Sequence, residues 1–532
     1  MSYEGQDHHP HKRGYPPCSD LLLSSPLSIP PNLELVQAHW FVRHGERAPV
    51  RQRMVGLGDI PAIFQLCSIG RQFTSAVLTL SPVSSQSSQS SSEFKSSLSN
   101  SSSSSNPFLS TTRHTTSFFS SPSSSSTTTA SHDAPISQTH HQLPVTRFTQ
   151  QVYNNRDGEE RGDSSVVPKR GGLKDCYWGE LTDLGRESTL RFGSILRKLY
   201  TSFLPSELNS KMFEQGVIEF RSTNMPRTIE SLHQIIEGLY PSSSSSSSDD
   251  NLRIPFMVRN WTEESLTPNT TSCRKLRKLD LLSIKRVTLE QNSSLAQLDE
   301  LFKPLFGEGN KIRIDSNPRA SGILDTLMVC RAHGIKVPKV LQDPKVLTVL
   351  ENAVVHEWFD GYKNLEFKRL AMGRLFSDLH NQLSLKVNHP EKEKLKLSIN
   401  SCHDTSVAGI MNALDVFNGR WPAFTANIGI ELYASKSKDL QSTSSPPTSS
   451  PSSSSSSSSS ATTTTTPPPP PPDHHFVRVL YNGKTLSLPG CQEPRNHLEG
   501  SQGKICTFKA FSKILEKVEM REKEWREVCS QE

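Results

Sequence analysis

Seven residues near the start of the chain, Arg43-His44-Gly45-Glu46-Arg47-Ala48-Pro49, set a nucleophile between two forked cations. A neutral imidazole can attack phosphorus in line when a backbone carbonyl holds its other nitrogen and fixes the tautomer. Phosphoryl transfer otherwise needs positioning and positive charge dispersed around the equatorial oxygens. Arg43 and Arg47 supply donors of that geometry, and Gly45 lets the backbone come close to a ligand. The five fixed positions of R-H-G-x-R-x-P arise by chance in such a chain with odds on the order of 10⁻⁴. A lone RHG would more often be an ordinary loop histidine beside solvated arginines.

The elements that must position these residues follow a repeated order of strand, polar loop and helix. Residues 33–42 (LELVQAHWFV) read as a buried strand emptying into the His44 loop. Residues 216–220 (GVIEF) form a short strand that opens on Arg221, and 395–400 (LKLSIN) alternate as a strand and end at Ser401-Cys402-His403-Asp404. Helices are expected over 61–80, from an N-cap at Thr182 through Leu199, and from Ile229 to Leu239. Residues 280–385 read mostly as helices and loops, and two further strands are expected at 428–433 and 476–481. Ligand sites in open α/β sheets gather at the carboxyl ends of strands, so the loops carrying RHG, RST and HD are expected to converge. His132-Asp133, which follows no strand, is read as an inert decoy.

Hydrophobic residues make up 33% of the 532-residue chain, against about 45–50% in globular proteins. The deficit sits in Ser/Thr/Pro-rich tracts at 84–170 and 436–474 and in a polar arm at 1–32, which cannot bury enough apolar surface to order. What remains suffices for one α/β core with a helical accessory domain. The net charge of +6 is scattered and gives no nucleic-acid footprint. Nine cysteines form no CxxC pair and no zinc spacing, and Cys491 and Cys506 bracket a loop that a bridge could close, so the redox compartment stays open. The N-terminus has an apolar run of only three leucines, and no stretch reaches eighteen apolar residues. A soluble intracellular protein is therefore the expectation, cytoplasmic or mitochondrial. The histidines at 8, 9 and 11, at 140–141 and at 474–475 lie in polar margins and are read as having no metal role. Sequons at Asn100, Asn260, Asn269 and Asn292 matter only on a secretory route.

The strand before RHGERAP, then GELTDLG at 179–185, RSTNMPRT at 221–228 and SCHDTS at 401–406, stand in the order of the histidine acid phosphatases, which the chain resembles from about 33 to 435. The tract NGRWPAFTANIGIELY at 418–433, with VRVLYNGKTLSLPGC after it, is most similar to the lysophosphatidic acid phosphatase subgroup. The resemblance implies a three-layer α/β core with a mostly parallel sheet and a smaller helical cap. It also implies hydrolysis of a phosphate monoester, small or lysophospholipid, without metal or other cofactor. It implies His44 as the phosphorylated nucleophile, Arg43, Arg47, Arg227 and His403 as phosphate ligands, and Asp404 as proton donor, while Arg221 orders its loop. A bound phosphate or a neighbouring carboxylate would raise the Asp404 pKa and give an acidic optimum. The family form R-S-T-D-V-D-R-T is departed from at Asn224, Met225 and Pro226, which leaves the loop near Arg227 open. The core is expected at 33–83, 171–241, 386–435 and 475–532, and the cap at 242–385. A mutase of the same fold, or an idle phosphate- or lipid-binding module, are the alternatives.

Overall fold

The computed structural model describes residues 30, 32–70, 174–241, 254–436 and 474–530, and the backbone of 142–145. The strands are β1 (Leu33–Arg43), β2 (Gln142–Val145), β3 (Ile218–Ser222), β4 (Ile254–Val258), β5 (Leu397–Cys402), β6 (Asn427–Ser435), β7 (His475–Tyr481), β8 (Lys484–Thr485) and β9 (Ile505–Thr507). The helices are α1 (Asp183–Leu199), α2 (Ser210–Glu214), α3 (Pro226–Leu239), α4 (Arg274–Ala296), α5 (Asp299–Phe306) and α6 (Ala320–Ala332). They continue with α7 (Pro344–Phe359), α8 (Leu365–Asn388), α9 (Asp404–Ala413), α10 (Phe508–Val518) and α11 (Glu522–Ser530).

One sheet runs in the order β2-β4-β3-β5-β1-β6-β7-β8, with β9 on β7. Its centre, β4-β3-β5-β1, is parallel, and the flanking strands are antiparallel. β1 is apolar on both faces because both are covered. On one side Trp40, Val42 and Ile399 pack with Phe192 and Leu196 of α1 and Leu232 and Ile235 of α3. On the other, Phe41, Ile428 and Ile430 meet Met372 and Leu375 of α8, Val407 of α9 and Phe511 of α10. This is the three-layer core expected. A separate apolar cluster, with Leu295, Phe302, Leu324, Leu327, Leu350 and Val354, holds α4 to α7 together as the cap.

The strands expected at 33–42, 395–400, 428–433 and 476–481 appear as β1, β5, β6 and β7, and Thr182 caps α1 by accepting from the Gly185 N–H. Several boundaries are corrected. Residues 61–67, expected as the start of a helix, are loop, and helix begins only at 68–70. Cys67 is tied to Cys176 there, and the Asp183 carboxylate takes the N–H groups of Ser68 and Ile69. The rest of that call lies outside the described residues. The low-complexity tract 84–170 contains β2, since edge pairing with β4 uses backbone groups and needs no apolar run. The cap range 242–385 contains β4, which joins the core sheet beside β3, and α8, which covers that sheet. α4 starts at Arg274, earlier than expected. Calls on 1–29, 71–141, 242–253 and 437–473 lie outside the described residues. Disulfides link Cys67–Cys176, Cys273–Cys529 and Cys491–Cys506, while Cys330 and Cys402 are free and buried. Among the described residues no helix is long and apolar enough to cross a membrane.

Candidate active site

His44 stands at the point where β1 leaves the sheet. Its backbone N–H donates to the Cys402 carbonyl at 3.0 Å, and its carbonyl accepts from Thr425 at 3.1 Å, so the first and third loops are stitched together at His44. The imidazole Nδ1 lies 2.8 Å from the Gly45 carbonyl. A carbonyl only accepts, so Nδ1 carries the hydrogen and the Nε2 lone pair is left for chemistry. A Cβ on Gly45 would stand 2.3 Å from the Gly185 carbonyl, and one on Gly185 would stand 2.1 Å from the Glu46 carbonyl. Two glycines therefore allow GELTDLG to brace RHGERAP, with Thr182, Ala48 and Gly179 completing the backbone bonds between them.

The second loop presents Arg227 in the first turn of α3. Pro226 occupies the first helical position, where its missing N–H costs nothing, so the Asn224-Met225-Pro226 departure is accommodated. Arg221, at the start of that loop, is turned away and bonded to Glu264 at 2.6 Å and Ser265 at 3.0 Å. The third loop caps α9: the His403 N–H donates to Ser406 Oγ, and Asp404 opens the helix. His403 Nε2 lies 2.9 Å from Thr223 Oγ1, which leaves Nδ1 for a ligand. The His44 and His403 rings are 5.7 Å apart, edge to face.

Arg43, His44, Arg47, Arg227, His403 and Asp404 all line one cavity of about 610 Å³. Every residue singled out for chemistry is thus brought together, and Arg221 is not among them. Arg43 donates to Asp404 at 2.7 Å and lies over the Phe424 ring, 4.4 Å from its centre. Arg47 donates to Asp325 at 2.7 Å.

The electrostatics follow from burial among cations. Desolvation first, then Arg227, Arg43 and Arg47, hold the His44 pKa well below its ordinary value, so the ring is neutral and nucleophilic. The same causes, burial first and Arg227 next, lower His403 to about 3. Arg227 falls to about 9, chiefly by burial and then by Arg47, and remains charged at acid pH. Asp404 is shifted down here, whereas the expected rise is tied to a bound phosphate or a neighbouring carboxylate. Burial acts to raise it, but Arg43, His403 and Arg47 together hold it below the ordinary carboxylate value, because its neighbour is a guanidinium and not a second carboxylate. Beside Arg43, Asp404 is thereby favoured as a carboxylate.

Four participants were not legible in advance. Asp325, on α6 of the cap, holds Arg47 and accepts the Val50 N–H. Thr223 orients His403, Phe424 floors the arginines, and Glu46 is buried against Ser188 with its pKa raised by desolvation. Glu46, Thr223 and Phe424 lie inside segments already singled out, without a role assigned to them there, whereas Asp325 has no sequence signal. Among the described residues no group of three or more His, Cys, Asp or Glu is arranged to hold a metal ion.

A three-layer α/β fold with two histidines, three arginines and a carboxyl at the strand ends defines a phosphate-handling enzyme. The chain belongs to the histidine phosphatase superfamily (branch 2), whose profile matches residues 34–482. It is a histidine acid phosphatase by that membership. A probable acid phosphatase of Schizosaccharomyces pombe is 28% identical over 431 residues, 79% of this chain and 77% of its own. A probable acid phosphatase of Dictyostelium discoideum is 26% identical over 375 residues, covering 67% and 73%. Mouse prostatic acid phosphatase is 26% identical over 319 residues, covering 56% and 77%.

Proposed function

We propose that this acid phosphatase acts through a phosphohistidine on His44 and prefers an amphiphilic monoester of the lysophosphatidate class. The Nδ1–Gly45 carbonyl bond of His44 carries the mechanistic reading, since it commits Nε2 to the cavity. Nε2 attacks phosphorus, the P–N bond forms, and the P–O ester bond breaks. Asp404 passes a proton to the departing alkoxide. Water then forms a new P–O bond, the P–N bond breaks, and the Asp404 carboxylate takes the proton. Arg43, Arg47, Arg227 and His403 stabilise the equatorial oxygens. A phosphate dianion competing for Arg43 weakens its pair with Asp404 and lets that carboxyl protonate, which favours acid pH.

The rest of the cavity supports the substrate class. Leu324, Met328, Val354, Trp358 and Phe359 give it an apolar wall beyond the arginines, suited to an acyl chain. Arg51 and Arg53 share the cavity and favour a second reading, a substrate with further anionic groups. The three disulfides support folding in an oxidising compartment, against the intracellular expectation. Thiol labelling of the native chain with and without reductant tests that.

Label from a radioactive monoester should be trapped on His44, and His44→Ala should lose turnover by about a thousandfold or more. Label on another residue overturns the intermediate. The ratio of kcat/KM for lysophosphatidate to that for inositol hexakisphosphate should exceed about ten, one missing subsite contact being worth that much. The reverse ratio overturns the substrate class and leaves the hydrolysis intact.

A further inference from the structure

Among the described residues, helix α4 groups three of the most exposed leucines on one outward face. Leu281, Leu282 and Leu289 are 60%, 57% and 80% exposed, whereas its inner face, Leu276, Val287 and Leu295, is buried. Leucines exposed to this degree have no packing role in the fold, and their grouping on one helix sets them apart from scattered surface apolar residues. Arg274, Arg277, Lys278 and Lys285 interleave with them at spacings of three and four, so cations and leucines share one stripe.

The charge on the helix is one-sided. Arg274, Lys275, Arg277, Lys278, Lys285 and Arg286 stand against Asp280 and Glu290. Asp280 is turned into the catalytic cavity. Lys275 is paired with Glu366, Arg286 shares Asp360 with Lys363, and Arg274 and Lys278 are also engaged, so the attraction rests on Arg277 and Lys285, both exposed beside the leucines. Trp261 and Trp358 line the cavity and are 40% and 45% exposed, which is the disposition of rings that settle at a lipid interface.

We propose that the α4 face docks the enzyme on anionic bilayer surfaces, with Leu281, Leu282 and Leu289 entering the headgroup boundary and Arg277 and Lys285 meeting lipid phosphates. A peripheral helix of this kind lies in the plane of the interface, joining apolar insertion to charge attraction. Charge complementarity favours this occupant over a second copy of the chain, since two α4 faces would bring like charges together. Docking is independent of which monoester the cavity accepts.

The test is flotation of the full chain with vesicles of phosphatidylcholine containing phosphatidylserine, beside vesicles of phosphatidylcholine alone. The parent protein should float with the first, much less with the second, and release as salt rises. Leu281→Gln/Leu282→Gln/Leu289→Gln should weaken binding by about tenfold or more, Arg277→Glu/Lys285→Glu should remove the lipid preference, and both should keep parental turnover of p-nitrophenyl phosphate. Turnover of that soluble ester reports the catalytic site separately, so loss of docking and loss of catalysis cannot be confused. No flotation, flotation unchanged by the leucine variant, or a parental dimer that the leucine variant turns into monomer would each overturn the proposal, the last in favour of a second copy.

Discussion

Arg221 and Arg227 bracket a single loop, both buried, and the protein treats them in opposite ways. Arg221 is neutralised by Glu264 and further bonded to Ser265. Arg227 faces the cavity, and its guanidinium has no ion pair or hydrogen bond among the described residues; its Nε is buried without a partner. Burial opposes the charge of both, but Glu264 offsets that at Arg221, while Arg47 adds repulsion at Arg227. Asp404 and Asp325 offset only part of this at Arg227, and a buried charge without a direct partner is kept at a cost in stability. That contrast separates an arginine that organises from one that binds. Arg47 is intermediate, with one carboxylate supplied by the cap.

The contrast can be broken at either end. Arg221→Ala strands Glu264, which is 1% exposed, and should cost about 3–5 kcal/mol in denaturant unfolding. Arg227→Ala should cost little or nothing in unfolding, yet lower kcat/KM by about 100–1000-fold, as removing a preorganised transition-state donor does. Equal losses of stability in the two variants would erase the distinction. Asp325→Asn keeps an acceptor for the Val50 N–H but removes the charge that holds Arg47, so KM should rise by about tenfold with a smaller change in kcat. An unchanged KM would show that Arg47 needs no support from the cap.

Most of this contrast was readable without coordinates, and the part that was not has a physical reason. The strand before His44 announces itself through an apolar run that ends abruptly, because a sheet covered on both faces allows such runs, and the strand before His403 through its alternation. The motif supplied both arginines around His44. Nothing in the sequence marks Asp325 or Glu264, since each is a single carboxylate in ordinary surroundings and acquires its role only when the chain brings distant segments together. β4 was hidden because a five-residue strand buried by its neighbours has no period of its own. The sign of the Asp404 shift depends on whether the nearest group is a carboxylate, a phosphate or Arg43, and the geometry places Arg43 there.

A finer version of the comparison lies between His39, within β1, and His44, which follows its last residue. Both are buried and neutral, but the causes differ: His39 is lowered to about 3 by burial alone, with Nε2 unbonded, whereas His44 is lowered by burial and by three arginines. A histidine whose folded pKa is depressed remains neutral while the unfolded chain takes up a proton below about 6.5. Its stabilising contribution is complete above 6.5 and is lost as pH falls from there toward 3. His39→Phe removes this linkage without stranding a hydrogen-bond partner. Its unfolding free energy should match the parent at pH 7 and fall less steeply in acid, by up to about 1.4 kcal/mol for each pH unit below roughly 5.5. Denaturant melts at pH 7, 5.5 and 4.5 check this. Parallel curves for parent and variant would mean that His39 protonates in the folded state, and that burial without cations does not suffice to keep a β1 histidine neutral.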